Sequence, residues 1–421
     1  MKILLLNQVF YPDPVATAQH TRDLALFLQG QGHSVTVVTG NRNYEHRHIK
    51  YARRENYQGV EIRRVSSTGW GKRSFFTRIA DALTFDLLLA WELWRLPPQD
   101  VVVSFTSPPL IGLFGVLFCK LRGGKSVQWL MDVNPDTAIA VGYLKADSWV
   151  SRILNAIFEF TLHHSEKIVV LDRWMREKIM AHGAKAEQIA IVPPWPVQSF
   201  ETPPPNAGQA FRRENGLEDK FVVLYSGNHS VVHPLDTLLQ AAVRLKEEKN
   251  IVFLFIGNGL RVNDVTETVQ RHQLSNVRQL PPQPRERLPE SLGAGHLHIV
   301  VMGNRVSGLV HASKIYGVLA TGRPYIYIGP KESHGSDLLA ECPYGFQVEH
   351  GAVEDFISAL KRVQQLTPAE LETYAQGNLD YVMRCYSAAK SLQIFHSQVV
   401  EPLAGLTPTV PAKTSKTAAA R

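Results

Sequence analysis

Lys2-Ile3-Leu4-Leu5-Leu6, the apolar-periodic segment 17–29 and Ser34-Val35-Thr36-Val37-Val38-Thr39 decide the fold. A short apolar strand leads through a loop at Tyr11-Pro12-Asp13-Pro14 into a helix that Gly30 and Gly32 close, and a second strand follows at once. This spacing is a βαβ unit, whose parallel strands need a crossover, right-handed in nearly all proteins. The expected class is α/β with doubly wound parallel sheets. Strand candidates at 101–105, 126–130, 167–171 and 189–192, separated by helical stretches, extend the sheet, so residues 1–195 read as one Rossmann-like domain.

Pro193, Pro194, Pro196, Pro203, Pro204 and Pro205 then crowd a segment that reads as a linker over 196–220. A second α/β unit spans 221–380, with strands expected at 221–225, 251–256, 298–302 and 324–328. A helical stretch over 381–405 follows, and the Thr, Ala, Pro and Lys content of 406–421 reads as a disordered tail.

Composition narrows the function classes. Across 421 residues, 44% hydrophobic and 20% charged, nothing suggests collagen, general disorder or a disulfide scaffold. Cys119, Cys342 and Cys385 are widely spaced and suit a reducing compartment. The start of the chain lacks a signal-peptide cleavage pattern, and the longest uncharged stretch, 101–119, is divided by Pro108-Pro109 into strand, turn and short helix rather than a membrane span. Histidines pair at 46/48, 163/164, 229/233 and 296/298 without zinc spacing, and neither a Walker loop nor an Asp-x-Asp motif occurs, so no metal and no cofactor are expected.

Ligands of open parallel sheets bind at the carboxyl ends of the strands, and four post-strand loops stand out. Tyr225-Ser226-Gly227-Asn228-His229-Ser230 exposes backbone N–H groups suited to a phosphate, or is a tight turn. Gly257-Asn258-Gly259-Leu260-Arg261 lacks the third glycine of a dinucleotide fingerprint. It reads either as close backbone approach to a nucleotide with Arg261 on a phosphate, or as a glycine turn. In Gly308-Leu309-Val310-His311-Ala312-Ser313-Lys314-Ile315-Tyr316-Gly317, Ser313 reads as an N-cap and Lys314 falls in the first helical turn. A cation there is unfavourable against the helix dipole unless an anion is bound, so the position reads either as a diphosphate site or as a solvated lysine. Finally, Gln128-Trp129-Leu130-Met131-Asp132-Val133-Asn134-Pro135-Asp136 ends a strand in two carboxylates; Asp132 is a candidate base or sugar-hydroxyl ligand, or a helix cap.

The ordered set Asn7-Gln8-Val9-Phe10-Tyr11-Pro12-Asp13, Asp132-Val133-Asn134-Pro135, Tyr225-Ser226-Gly227-Asn228-His229 and Ser313-Lys314-Ile315-Tyr316-Gly317 resembles glycosyltransferase family 4, in its bacterial exopolysaccharide, O-antigen and colanic-acid-type branch. The resemblance covers nearly the whole chain. It implies a GT-B fold, two Rossmann-like domains facing across a cleft, with a final helix returning to the first domain. It also implies retaining, metal-independent hexosyl transfer from a nucleotide sugar, chiefly a UDP-sugar. By that likeness Gly227, Asn228 and His229 face the donor phosphates, Gly257, Gly259 and Arg261 lie near the nucleotide, and Ser313 with Lys314 bind the diphosphate. Tyr11, Thr17 and Asp132 fall on the acceptor side, with Asp132 and Lys314 as the catalytic pair. The chain departs from the family where two glutamates eight positions apart usually stand, since Leu309 and Gly317 occupy those positions.

The acceptor implied is a polyprenyl-diphosphate-linked or other glycan in surface polysaccharide or lipopolysaccharide synthesis. Trp70, Phe75, Phe76, Leu83, Phe85, Trp91 and Trp94, mixed with Lys72, Arg73 and Arg78, fit either a core helix or a membrane interface. The net charge of +7 resides in residues 47–78, which hold nine Lys/Arg against two Asp/Glu. Docking to an anionic membrane surface through 47–94 is therefore expected, on the cytoplasmic side of the plasma membrane. A nucleic-acid partner is not expected, because no binding module accompanies the charge. The alternatives are a non-catalytic subunit binding lipid-linked sugar and a GT-B sugar-nucleotide epimerase.

Overall fold

The computed structural model describes residues 1–13, 15–43, 48–66, 75–196 and 207–405. In the first domain, β1 (Lys2–Leu6), β2 (Ser34–Gly40), β3 (Arg54–Tyr57), β4 (Val60–Val65), β5 (Val101–Ser104), β6 (Lys125–Trp129), β7 (Lys167–Val170) and β8 (Ile189–Ile191) form one sheet in the order β3-β4-β2-β1-β5-β6-β7-β8. The second holds β9 (Phe221–Ser226), β10 (Ile251–Ile256), β11 (Val277–Leu280), β12 (Leu297–Val301), β13 (Tyr325–Ile328) and β14 (Gly345–Val348), ordered β11-β10-β9-β12-β13-β14. Every pairing between these strands is parallel except β3 with β4. Strand order reverses beside β1 and beside β9, which is where doubly wound sheets open a ligand crevice.

The apolar runs form central strands because both faces are covered. Ile3 and Leu5 enter one core with Val35, Val37, Val101 and Val103, while Leu4 and Leu6 enter another with Val38, Val102 and Phe85. The period-two side-chain alternation thus feeds two layers of helices. In the second domain Val223, Tyr225, Phe253 and Phe255 face one core, and Val222, Leu224, Val252 and Leu254 the other.

Two elements differ from the sequence reading. The β3–β4 hairpin was hidden by its charges: Arg64 is buried and held by Glu55 at 2.6 Å, and Gln58 and Gly59 turn the chain with φ of 50° and 87°. Positive φ at both central residues matches the twist of a two-residue hairpin. Within the expected linker 196–220, Ala207–Glu214 is a helix that packs on Leu288–Gly293, with Phe211 buried. Its proline-free sequence permits this, and Gly208 allows backbone contact with Gly293. Residues 197–206 and the tail 406–421 lie outside the described residues.

After the long helix Pro368–Tyr386, the segment Ala388–Phe395 and its continuation to Ala404 cross back to the first domain. Leu392, Phe395, Val399, Val400 and Leu403 join its core, where Phe395 stacks on Trp129 at 4.9 Å. The uncharged stretch 101–119 is β5, a turn and the start of helix Ile111–Arg122. Among the described residues no helix is long and apolar enough to cross a membrane.

Candidate functional site

At the β9 switch point, Lys314 is the central group. It opens the short helix Lys314–Leu319 and reaches back over β9, where Nζ donates to the Tyr225 hydroxyl at 2.9 Å and sits 4.3 Å from the Tyr225 ring centroid. Tyr225 donates onward to the Asn228 carbonyl at 3.0 Å, so the ammonium and the loop after β9 are fixed together. Burial pushes Lys314 down to about 7, and no carboxylate among the described residues pairs with it to offset that effect. A methyl at Gly227 would lie 3.3 Å from Nζ, so the glycine leaves the ammonium facing open backbone. His229 and His233 are also held below the usual histidine range, first by burial and then by Lys314. The three groups form a cluster of suppressed positive charge, which an incoming anion would restore.

The remaining donor-side residues have more varied surroundings. Gly257 and Gly259 take φ of 140° and 139°, and a methyl on them would strike the Gly227 carbonyl at 2.1 Å and the Asn228 side chain at 2.5 Å. Their freedom seats one loop against the other, an arrangement closed by hydrogen bonds from the His229 amide to Asn258 and from the Arg261 amide to His229. Arg261, expected to be available to a phosphate, is already paired with Asp236 at 3.3 Å and Asp264 at 3.0 Å. Ser313 is exposed and its side chain makes no cap, because its backbone is already helical, with φ −55° and ψ −22°.

Across the cleft, Asp132 lies in the loop after β6, three residues past Trp129, and makes an isolated antiparallel bridge with Val310 of the second domain. Burial raises its carboxyl to about 6 despite the opposing charge of His311. It borders a cavity of about 170 Å³, lined mainly by apolar groups such as Leu110, Leu130, Leu154 and Phe158. Asp136, the other carboxylate of this loop, is paired with His182 at 2.9 Å. Tyr11 stacks on Tyr57 of the hairpin at 4.2 Å, and the Thr17 carbonyl accepts from Thr21 at 2.7 Å. The structure thus uses the Tyr11 ring and the Thr17 backbone in local packing, while Asp132 meets the second domain directly.

Sequence reasoning missed a buried relay at the same seam. Asp172, directly after β7 and Leu171, lies 2.6 Å from His311 Nδ1; His311 Nε2 meets the Tyr316 hydroxyl at 2.8 Å, and that hydroxyl meets His334 Nε2 at 2.7 Å. Burial disfavours the Asp172 carboxylate, but the hydrogen bond and charge of His311 prevail and bring it to about 2. Asp172, His311 and His334 offer ligand atoms within 4.8 Å of one another, and all three side chains take part in the relay. The signal available was an aspartate placed after a buried strand, the argument already applied to Asp132.

The first domain also carries an exposed aromatic face. Leu87, Trp91 and Trp94 share one side of helix Phe75–Arg95, and they are joined by Leu117 and Leu121 on Ile111–Arg122 and by Trp149, Ile153 and Phe160 on Trp149–His163. Trp94 and Trp149 are 68% and 73% exposed, far beyond ordinary for tryptophan. Arg95 lies over Trp91, Arg122 over Trp94 and Lys120 over Phe160, at 4.6, 5.3 and 5.4 Å. In the basic window, by contrast, Arg63 pairs with Glu61 and Glu92, and Arg64 with Glu55. Lys50, Arg53 and Arg54 are exposed, whereas Arg47, Trp70, Lys72 and Arg73 lie outside the described residues.

Comparison with known proteins accords with this architecture. Residues 16–195 match the family model described as Glycosyl transferase 4-like domain. The chain is 24% identical over 398 residues to the putative colanic acid biosynthesis glycosyl transferase WcaI of Escherichia coli (strain K12), covering 90% of this chain and 97% of that protein. Among solved structures, Anabaena Alr3699/HepE in complex with UDP and glucose superposes with TM-score 0.69 at 15% identity, covering 96% of this chain and 100% of that one. WaaG, a glycosyltransferase involved in lipopolysaccharide biosynthesis, superposes with TM-score 0.68 at 16% identity, covering 93% and 99%. The chain is a glycosyltransferase, with two facing α/β domains in the GT-B arrangement. Its first domain is of the glycosyl transferase 4 type.

Proposed function

We propose that this enzyme transfers a sugar, with retention of anomeric configuration and without a metal, from a UDP-sugar to a polyprenyl-diphosphate-linked or other glycan acceptor in surface polysaccharide synthesis. The observation that carries the reading is Lys314, an ammonium at the β9 switch point, tied to Tyr225 and facing Gly227. As the sugar–phosphate bond breaks, negative charge gathers on the departing diphosphate. A preplaced ammonium and backbone N–H groups stabilise that charge more in the transition state than in the ground state. Asp132, across the cleft, receives the acceptor hydroxyl and accepts its hydrogen bond. The complexes of Alr3699/HepE with UDP support the choice of nucleotide, and the colanic-acid name of WcaI supports the acceptor class.

The cation-capped aromatic face supports peripheral association with the anionic inner leaflet. Apolar rings enter the headgroup boundary while the arginines and Lys120 face lipid phosphates. Within the 47–78 window Arg63 and Arg64 are already paired with carboxylates, whereas Lys50, Arg53 and Arg54 are exposed and add to the attraction of this domain for an anionic surface. The test combines the enzyme with UDP-, GDP- and dTDP-sugars and polyprenyl-diphosphate-sugar acceptors, with and without EDTA. Product mass and anomeric NMR coupling are then read. An EDTA-resistant, retained product from a UDP-sugar is expected; inversion, metal dependence or absence of any transferred sugar would overturn the reading.

A further inference from the structure

The Asp172–His311 pair joins the domains without belonging to the donor or acceptor groups above. Asp172 caps the first-domain helix Arg173–Ala181 by accepting from the Met175 amide at 2.8 Å, and its other oxygen lies 2.6 Å from His311 Nδ1 of the second domain. Both side chains are at most 5% exposed. A buried carboxylate–imidazole pair of this kind gives little net stability over apolar packing, so its value lies elsewhere. Its location supplies the reason. On one side of His311, the Leu309 carbonyl accepts from the Val133 amide at 2.8 Å and Val310 bridges Asp132. On the other, the Ser313 amide donates to the His311 carbonyl at 2.9 Å and Lys314 begins the helix. One short segment therefore connects the Asp132 loop to the Lys314 ammonium, with His311 at its middle.

Outer contacts brace the same seam. Arg173 grips Asp337 through two hydrogen bonds of 2.7 Å, and the Trp174 indole donates to Asp337 at 2.9 Å. Gly308, at φ 72°, packs where a methyl would come within 2.8 Å of the Trp174 carbonyl. Beyond His311, Tyr316 and His334 continue the relay into the second-domain core, fixing the ring from its other nitrogen. His311 is thus held from both domains at once.

We propose that Asp172 and His311 are positioning residues for sugar transfer: the pair registers segment 309–314 against the first domain, setting Lys314 and Asp132 in their reactive relation. This rests on the assignment of Lys314 to the donor diphosphate. Neither residue touches substrate. They act by fixing geometry, where an error of about 1 Å can lower a rate 10²-fold. UDP binding, made within the second domain by the Tyr225, Gly227 and Lys314 cluster, does not depend on the pair.

The experiment measures kcat and KM for transfer, together with UDP affinity by calorimetry, in Asp172→Ala, Asp172→Asn, His311→Ala and His311→Gln. The Asp172→Asn change keeps an oxygen for the helix cap and turns an amide N–H toward His311 Nδ1, which then accepts while Nε2–H donates to the Tyr316 hydroxyl, so the ring stays held and this is the conservative rescue. The expected result is a tenfold or greater fall in kcat for both alanine variants, UDP affinity within about threefold of the parent, and recovery of most of the turnover in Asp172→Asn. Unchanged kcat in folded alanine variants overturns the proposal. So does a loss of UDP affinity matching the loss of kcat, which marks a merely structural role. Should an alanine variant fail to fold, Asp172→Asn and His311→Gln are compared under the same two criteria: His311→Gln must lower kcat at least tenfold and Asp172→Asn must not. Lys314→Ala run in parallel separates the two readings, since full activity there overturns the donor-site assignment instead.

Discussion

Lys314 Nζ donates to the Tyr225 hydroxyl at 2.9 Å, linking a short helix of the second domain to the end of its first strand across 89 residues of sequence. The hydroxyl in turn donates to Asn228, so the ammonium is aimed by a two-step chain rather than left to solvent. Removing it therefore deletes a fixed charge from the cleft. Lys314→Ala is expected to lower kcat by about 10²–10³-fold, the effect of losing one preorganised charge-stabilising donor. Thermal melting should not fall, because burial of the ammonium opposes folding in the free protein. Steady-state turnover at saturating donor checks this, and an unaltered kcat would falsify the assignment.

The same burial predicts a pH signature. Lys314 is brought from its ordinary 10.5 to about 7, so above that value the free enzyme holds it mainly neutral. A diphosphate favours the charged form, and binding UDP at pH 8 should take up close to one proton. Calorimetry in buffers of different ionisation enthalpy reads this directly, and Lys314→Met should abolish it. For stability the sign is the reverse of a typical salt bridge. The unfolded chain binds more protons between about 7 and 10.5, so this residue opposes folding fully below that window, and its opposition lifts as pH rises through it.

Asp132 supplies the other limb. Its carboxyl is raised by burial to about 6, and accepting a proton or a hydroxyl hydrogen bond requires the ionised form. With Lys314 needed protonated and Asp132 needed charged, kcat/KM should trace a narrow bell with limbs near 6 and 7. The basic limb should move upward in kcat, where bound diphosphate holds the lysine charged. Asp132→Asn should remove the acidic limb along with most of the rate.

The legible part of this protein was the part written in apolar period. Ile3 and Leu5 against Leu4 and Leu6, and Val222 and Leu224 against Val223 and Tyr225, announce strands covered on both faces, and from them two parallel sheets follow. The β3–β4 hairpin was not legible, because Arg64 and Glu55 satisfy each other only once folded and read as surface charge beforehand. The donor loop could be found from its glycines, yet those glycines gave no sign that they seat loop on loop. Asp172 and His311 lie 139 residues apart, and no local pattern announces a pair formed by domain docking.

The aromatic face yields a binding prediction. Trp91, Trp94, Leu121 and Trp149 come from three neighbouring helices, and the cations over Trp91 and Trp94 belong to the same surface. The enzyme should sediment with vesicles containing anionic phosphatidylglycerol and much less with pure phosphatidylcholine. Added salt should weaken the association without abolishing it, since the ring contribution is not screened. The combined change Trp94→Ser, Leu121→Ser, Trp149→Ser should release the protein from vesicles while leaving UDP affinity in the other domain unchanged. Equal sedimentation of parent and variant would remove this face from the account.

The returning C-terminal segment makes a stability prediction. Phe395 is fully buried and stacks on Trp129 at 4.9 Å, so a residue near the end of the described chain completes the core of the domain that begins it. Trp129 also meets Phe105 at 5.3 Å and Trp195 at 6.3 Å, so the ring bordering any gap is itself held in place by other rings. Phe395→Ala should therefore cost about 3–5 kcal/mol, the range for large-to-small changes where a cavity persists. Phe395→Leu, which retains most of the volume, should cost less than half as much. Chemical denaturation followed by tryptophan fluorescence reads both, because Trp129 and Trp195 report on the packing being removed. An unchanged midpoint in Phe395→Ala would mean that the segment rests on the first domain without stabilising it.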